Sequence, residues 1–339
     1  MTIKLNALII KVYQEAPMYH GKIVGTGSFL PDFIVTNDDL AKVVETSDEW
    51  IYTRTGIKER RIAKDYDVHD MAARAAQKAL DQSGVQAQEI DMIVVATVTS
   101  DYSMPSVACM VQGEISAHQA FAFDLQAACS GFVYGLDVIE QFIQTGKVKK
   151  ALLIGVEKLS QVLNWQDRST CVLFGDGAGA VVIEATQEKT GVMDIYNKSI
   201  GTDWNVLTSK IRHNDTPYYQ QGSDNYLKMD GQQVFQFACK KVPEIFSELM
   251  EKNNIQLSEV DLYVLHQANS RIIERVAKKM GQPMDKFYMN IEKCGNTSAA
   301  TIPIALDELN AEGKLAGKTV GISGFGAGLT YGAAFIQFQ

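Results

Sequence analysis

The sequence predicts an α/β protein with buried, partly parallel sheets, built from two similar halves of about 150 residues each. Three observations carry that expectation. Short continuous apolar runs at Met92–Ala96, Ala120–Leu125, Ala151–Val156 and Leu262–Leu265 read as strands covered on both faces. Amphipathic helical patterns stand between them, Met71 to Ser83 being the clearest. The third is a repeat: Gly84-Val85-Gln86 through Asp91-Met92-Ile93-Val94 parallels Asn254-Ile255-Gln256 through Asp261-Leu262-Tyr263-Val264, and Gly135-Leu136-Asp137 echoes Ala305-Leu306-Asp307.

Composition narrows the class. Of 339 residues 46% are hydrophobic and 21% charged, ordinary for a soluble globular protein and enough chain for two domains or one large double domain. No apolar run approaches the ~18 residues of a membrane helix, so no membrane insertion is expected. Five cysteines without a CxxC spacing argue against a disulfide framework or a zinc site and for a reduced, cytoplasmic setting. A net charge of −8 disfavours nucleic acid as a partner. Met1 to Pro17 has an apolar centre of only Ala7-Leu8-Ile9-Ile10 between Lys4 and Lys11, too short for a signal peptide. It reads as a tail, with the fold beginning near Met18.

Along the chain, Lys22-Ile23-Val24 reads as a strand and Gly25-Thr26-Gly27-Ser28 as a turn, the GxG being a weak dinucleotide signal without its third glycine. Thr36–Leu40 opens a helix with Asn37 as N-cap. Ser47–Arg54 sets Trp50 and Arg54 on one helical face. Gln126-Ala127-Ala128-Cys129-Ser130-Gly131 turns with small side chains, and Phe132, Leu136, Ile139 and Ile143 then recur at helical spacing. Phe174–Gly179 is a glycine-rich turn entering the strand that ends at Ile183. The division between halves falls near Glu184–Gly191. That makes 18–187 the half carrying a nucleophile and 188–339 the half carrying histidine and asparagine.

Cys129 stands at a strand end and a helix start, where the helix dipole lowers a thiol pKa. A small apolar residue at a crowded junction is the plain alternative. Among five histidines, four sit in polar stretches, whereas His266 closes the strand Leu262–Leu265 and precedes Gln267-Ala268-Asn269. Ligands of open α/β sheets bind at such carboxyl ends. Gly295-Asn296 leads into another helix, as a polar site group or as a cap. Ser323–Gly332 carries glycines that let backbone N–H groups approach a ligand, as an oxyanion hole requires.

These segments together, Gln126-Ala127-Ala128-Cys129-Ser130-Gly131-Phe132, Phe174-Gly175-Asp176-Gly177-Ala178-Gly179-Ala180, His266-Gln267-Ala268-Asn269 and Gly295-Asn296-Thr297-Ser298-Ala299-Ala300, resemble β-ketoacyl-acyl carrier protein synthase III in order and spacing, from about His20 to Gln339. The resemblance implies the thiolase fold: two duplicated α/β halves in a five-layered α-β-α-β-α arrangement, working as a homodimer. It implies a decarboxylative condensation of a short acyl-CoA primer with malonyl-acyl carrier protein through an acyl-Cys129 intermediate, with no metal or redox cofactor. His266 and Asn296 would hydrogen-bond the malonyl thioester oxygen. Backbone N–H groups of Cys129 and Ala327 would form the oxyanion hole. By family position Trp50, Arg54, Arg168, Gly231, Phe235 and Asn269 would bind CoA and phosphopantetheine, with Trp50 and Arg168 sandwiching the adenine. Arg271, Arg275, Lys278 and Lys279 on one helix side would dock the acyl carrier protein, although Gln236 replaces a lysine of many relatives. Met104 would lie at the bottom of the acyl pocket across the dimer, leaving room for branched or slightly longer primers. Three rivals stay open. One is a Cys/His/Asn thioester hydrolase. Another is a non-catalytic acyl-CoA binding relative. The third is a related condensing enzyme of the polyketide-priming or hydroxymethylglutaryl-CoA synthase type.

Overall fold

The computed structural model describes residues 19–188, 190–210 and 225–339, so the expected tail and His213 lie outside the described residues. One sheet joins β1 (His20–Phe29), β4 (Met92–Ala96), β5 (Phe121–Leu125), β6 (Lys150–Glu157) and β7 (Gly177–Thr186) in the order β1-β7-β6-β4-β5. The other joins β8 (Gly191–Ser199), β11 (Leu262–Leu265), β12 (Thr319–Gly326) and β13 (Thr330–Gln337) in the order β11-β12-β13-β8. β4 runs parallel to both β5 and β6, and β11 parallel to β12; the remaining pairs are antiparallel. Two small ribbons complete the strands, β2 (Ile34–Thr36) with β3 (Glu59–Arg61) and β9 (Leu207–Thr208) with β10 (Lys228–Met229). The helices are α1 (Asn37–Leu40), α2 (Asp48–Thr55), α3 (Val68–Ser83), α4 (Val107–Glu114), α5 (Gly131–Gln144), α6 (Gly231–Asn253), α7 (Ser270–Met280), α8 (Ile291–Cys294) and α9 (Thr301–Ala311).

Side-chain alternation produces the layers. On β6, Ala151 and Leu153 face α5 and α9, while Leu152, Ile154 and Val156 face α3 and α4. On the second sheet Val264, Val320, Ile322, Ala334 and Ile336 join the same central cluster as Phe132, Leu136, Ile139, Ile302 and Leu306. Its other face packs Tyr263, Leu265 and Phe335 against α6 and α7 through Phe246, Ile273 and Val276. Helices, sheet, helices, sheet and helices therefore stack in five layers. Both faces of β4, β6, β11 and β12 are dry, which is why those strands read as unbroken apolar runs. Each fully buried Phe, Leu or Ile in the middle layer contributes about 1.5–3 kcal/mol.

The repeat is structural. Gly84 (φ 73°) and Asn254 (φ 56°) end α3 and α6 in the left-handed region, and each is followed by a capping box, Gln86 with Glu89 and Gln256 with Glu259. Asp137 of α5 accepts from Asn197 of β8 at 2.9 Å; Asp307 of α9 accepts from Thr26 and Ser28 of β1 at 2.8 and 2.6 Å. Each middle helix is thus tied to a strand of the opposite sheet.

Three local expectations are corrected. Gly25–Ser28 is not a turn but part of β1: a Cβ on Gly25 or Gly27 would lie 2.4 Å from the carbonyl of Ala79 or Ala75, so these glycines let α3 lie on the strand. Thr36, not Asn37, caps α1, in a capping box with Asp39. Asn37 is buried and its amide holds Ile57 O and Asp48 instead. The strand before Cys129 is not buried throughout, because β5 is the sheet edge and Phe121 is 40% exposed.

Candidate active site

β5 ends at Leu125, and the chain reverses through Gln126 and Ala127 into a single 3₁₀ turn, Ala128–Ser130, from which α5 continues. Ala128 sits at φ 47°, a strained conformation for a residue with a side chain. Thr330 Oγ1 clamps this turn, lying 3.0 Å from Ala127 O and 3.0 Å from Ser130 Oγ. Gly326 presses from β12: a Cβ there would lie 2.9 Å from Cys129 N and 3.3 Å from its Sγ. Only glycine leaves space for the sulfur.

Burial pushes the Cys129 thiol up to about 12; the Ser298 hydroxyl beside it opposes the rise, and the Glu157 carboxylate adds to it. The expected low pKa at a helix start is therefore corrected, because loss of solvent outweighs the dipole. At rest Cys129 is a thiol.

His266 follows β11. Its N–H donates to Ser323 O at 2.7 Å, and its ring meets Phe325 edge-on at 5.0 Å between centroids. Burial pushes the imidazole down to about 3, with the Ser298 backbone pulling the other way. It is neutral, and Nδ1 is buried without a hydrogen bond among the described residues.

Asn296 leaves α8 through Gly295 (φ 64°) and is held on both sides of its backbone: its N–H donates to Leu173 O at 2.9 Å, and its carbonyl accepts from Gly175 N at 3.0 Å. Gly175 lies against this segment, where a Cβ would meet Cys294 O at 2.3 Å. Oδ1 accepts from Ser298 N at 2.8 Å, which leaves the NH₂ end for the cavity.

Cys129, His266 and Asn296 line one cavity of about 180 Å³, with Phe174, Leu207 and Val234 among its walls. Gly231, Phe235 and Asn269, expected along the pantetheine path, line it too. A larger cleft of about 340 Å³ between α2 and α7, against Tyr52, Arg271 and Glu292, reaches none of the three. Arg54 and Arg168 both lie against Trp50, their guanidinium carbons 4.7 and 4.8 Å from the ring centroid, and Asn269 Nδ2 donates to Arg54 O at 2.9 Å. The Trp50 ring and the Arg168 guanidinium are already in contact, so a planar ring enters between them only if they part.

Ala327 follows Gly326 in the β12–β13 turn, and its carbonyl accepts from Thr330 Oγ1 at 2.9 Å. Met104 is 82% exposed and is not among the residues that line this cavity. Arg271, Arg275, Lys278 and Lys279 all lie exposed on α7 while Ile272, Ile273 and Val276 are buried; none of the four forms an ion pair among the described residues. Gln236 is exposed on α6.

Sequence reasoning assigned no role to two residues at this site. Glu157 ends β6 wholly buried, and Ser298 lies at φ 50° beside all three side chains. A charged residue closing the apolar run Ala151–Val156 was the available signal for the first. Asp176, inside the Phe174–Ala180 motif, is structural: buried, it accepts from Ala63 N, Ser160 N and Ser160 Oγ.

Comparison with known proteins agrees in order and extent. The 3-oxoacyl-[acyl-carrier-protein] synthase III profile matches residues 123–203, and the profile of that family's C-terminal part matches residues 250–338. A curated beta-ketoacyl-[acyl-carrier-protein] synthase III of Clostridium novyi (strain NT) is 47% identical over 325 residues, covering 95% of this chain and 100% of the relative. One from Clostridium acetobutylicum is 46% identical, covering 94% and 98%. The solved 3-oxoacyl-[acyl-carrier-protein] synthase III of Aquifex aeolicus VF5 superposes with a TM-score of 0.89 at 44% identity, covering 94% of this chain and 100% of that one. The priming beta-ketosynthase of the R1128 polyketide pathway superposes with a TM-score of 0.89 at 32% identity, covering 96% and 98%.

Proposed function

The chain belongs to the 3-oxoacyl-[acyl-carrier-protein] synthase III family of condensing, acyl-transferring enzymes, and we propose that Cys129 takes a short acyl group from CoA and passes it to malonyl-acyl carrier protein. The observation that carries this reading is the convergence of Cys129, His266 and Asn296 on one cavity. Attack of Cys129 on the acyl thioester splits one difficult transfer into two. The N–H groups of Cys129 and Ala327 receive the oxyanion. When malonyl-acyl carrier protein follows, loss of CO₂ leaves charge on the thioester oxygen, where His266 Nε2–H and the Asn296 NH₂ donate. Their states suit that task. His266 is held neutral, so it donates one hydrogen bond without carrying a charge, and Asn296 has its oxygen already engaged by Ser298. Decarboxylation supplies the driving force, and the steps so written call on no metal or redox group.

The CoA arm would run past Asn269, Phe235 and Gly231, with its adenine between Trp50 and Arg168 once these part and with Arg54 also against the Trp50 ring. The cationic side of α7 suits an acidic carrier protein. An open edge at β5 with Phe121 exposed supports a homodimer joined there, which would also bury Met104. No helix among the described residues is long and apolar enough to cross a membrane, and we assign the enzyme to the cytoplasm. The halves 18–187 and 188–339 are read as copies of one α/β unit.

Intact-mass spectrometry after incubation with acetyl-, isobutyryl- and longer acyl-CoAs tests the central step. An acyl adduct is expected on the wild type and none on Cys129→Ser. An adduct that persists in Cys129→Ser removes the assignment. With malonyl-acyl carrier protein added, free acid in place of 3-oxoacyl product would favour the hydrolase.

A further inference from the structure

Ser298 touches every working part of the site. Its backbone N–H fixes the Asn296 carboxamide at 2.8 Å, its backbone lies beside His266, and its hydroxyl faces the Cys129 sulfur. On its far side the same hydroxyl donates to Glu157 Oε1 at 3.3 Å. Glu157 has no exposed surface. Its Oε2 accepts from Thr99 Oγ1 at 2.5 Å and Thr97 Oγ1 at 3.4 Å, and Val98 N lies 3.2 Å from both oxygens. All of these donors are neutral.

The titratable groups facing Glu157 from the surrounding elements are few. Cys129 lies across Ser298. Asp176, at the head of β7, is turned onto Ser160 and Ala63. Lys158 reaches away, its amine on Tyr66 O at 2.7 Å and 3.6 Å from Asp67. No cation pairs with Glu157 among the described residues. Burial without a counter-charge pushes the carboxyl up to about 7, so it exchanges a proton near neutral pH.

The two sheets meet the two 3₁₀ turns alike. A Cβ on Gly155 would lie 2.2 Å from Ala299 O, and one on Gly324 would lie 3.0 Å from Cys129 O. Two residues further along each strand come Glu157 and Gly326. The second sheet thus offers the sulfur an empty place, and the first offers Ser298 a carboxylate.

We propose that Glu157 is the proton store of this site: through the Ser298 hydroxyl it takes the proton of the Cys129 thiol as sulfur attacks the acyl thioester, and returns it when condensation frees the sulfur. The inference rests on the acyl-transfer reading above. In the first half, the S–H bond of Cys129 breaks and its proton goes to Ser298 Oγ, while the Ser298 proton passes to Glu157. The sulfur forms its bond to the acyl carbon, and CoA departs as thiolate. In the second half, malonyl-acyl carrier protein loses CO₂, its carbanion bonds the acyl carbon, and the Cys129–acyl bond breaks with its electrons on sulfur. Glu157 then re-protonates that sulfur through Ser298. Summed, acyl-CoA and the malonyl carboxylate become 3-oxoacyl product, CO₂ and CoA thiolate, with charge conserved. His266 stays neutral and free to donate throughout.

The route requires Glu157 to be ionised before acylation, which direct transfer of the thiol proton to CoA does not. With the carboxyl pushed up to about 7, the rate of acylation by acyl-CoA alone, the adduct being counted by rapid quench and intact mass, should rise about 10-fold between about pH 6 and pH 8. Glu157→Gln and Ser298→Ala should still acylate, about 10-fold or more slowly than the wild type at about pH 8, with that rise gone. A wild-type acylation rate that stays flat across this range overturns the store while leaving the acyl-transfer reading intact. A rise that survives in Glu157→Gln overturns it as well. Absence of any adduct removes the premise and the proposal together.

Discussion

Replacing Gly326 by alanine isolates how far chemistry here depends on the place of one sulfur. The added methyl would lie 2.9 Å from Cys129 N, 3.0 Å from its Cβ and 3.3 Å from its Sγ. Carbon contacts settle at about 3.5–4.0 Å, so the turn must retreat by roughly 0.5 Å. Two of the three atoms cannot rotate away. The retreat therefore strains the Thr330 clamp on Ala127 and Ser130 and the Ser130 N–Ala127 O bond of 3.0 Å. Overpacking of this kind costs about 1–3 kcal/mol of stability. If a displacement of 1 Å costs about 100-fold in rate, half of it costs about 10-fold, or roughly 1.4 kcal/mol of barrier. The assay is the time course of the acyl adduct by rapid quench and intact mass, with urea unfolding run beside it. Gly201→Ala is the control, since a Cβ there meets nothing within 4 Å. Its adduct rate and unfolding midpoint should match the wild type. Gly326→Ala acylating within twofold of the wild type would refute the reasoning.

Other outcomes follow from the same geometry. His266 has a folded pKa of about 3 against about 6.5 unfolded, so its contribution is full above pH 6.5 and is lost as pH falls through 3. Unfolding in urea at pH 7 and pH 4 should show a loss that shrinks in His266→Gln, the group being worth roughly 3–5 kcal/mol over the whole window. Parallel curves for the two proteins would exclude it. Lys278→Glu combined with Lys279→Glu should raise KM for malonyl-acyl carrier protein about 10-fold at low salt and leave KM for acyl-CoA unchanged, because both ammonium groups lie on the exposed side of α7. An equal rise for both substrates would place the effect in the fold. If Met104 borders the primer pocket across a dimer, kcat/KM for isobutyryl-CoA should match or exceed that for acetyl-CoA; a strong acetyl preference sinks this.

The five layers were legible because burial writes itself into composition. β4, β6 and β11 are dry on both faces and so carry no polar alternation. Cys129, His266 and Asn296, which the fold brings to one cavity, could be picked out because each stands where an apolar run stops among small side chains. What stayed hidden depends on contacts between distant segments. Arg60, in the run Glu59-Arg60-Arg61, has the look of a surface residue, yet it is fully buried and bonds Asn37 Oδ1 at 2.9 Å and Val172 O at 2.8 Å. Glu157 likewise reads as a solvated strand end until Ser298, 141 residues onward, is brought to it. The thiol pKa was misjudged for the same reason: a helix start can be seen in sequence, whereas removal from water is a property of the packed whole.

Duplication explains why one site exists and not two. Corresponding residues from Gly84 to Asp137 stand 170 positions before their counterparts, as with 84 and 254, 128 and 298, and 137 and 307. Both halves build the same junction: Ala128 and Ser298 each begin a 3₁₀ turn at φ 47° and 50°, and Ser130 N–Ala127 O is mirrored by Ala300 N–Thr297 O. At those matched positions the chemistry is divided. Cys129 answers to Ala299, His266 to Ala96 and Asn296 to Gln126. Two left-handed non-glycine residues cost on the order of 1–3 kcal/mol each, and they persist where the surroundings over-determine them. Here the surroundings are each other. Gly131 packs on Ala96, where a Cβ would lie 2.8 Å away, and on Ala299 at 3.6 Å. A larger residue at Ala96 or Ala299 would pry the turns apart, so each half must stay small where the other carries a polar group of the cavity. The cavity holding sulfur, imidazole and carboxamide is therefore a property of the joint between the halves.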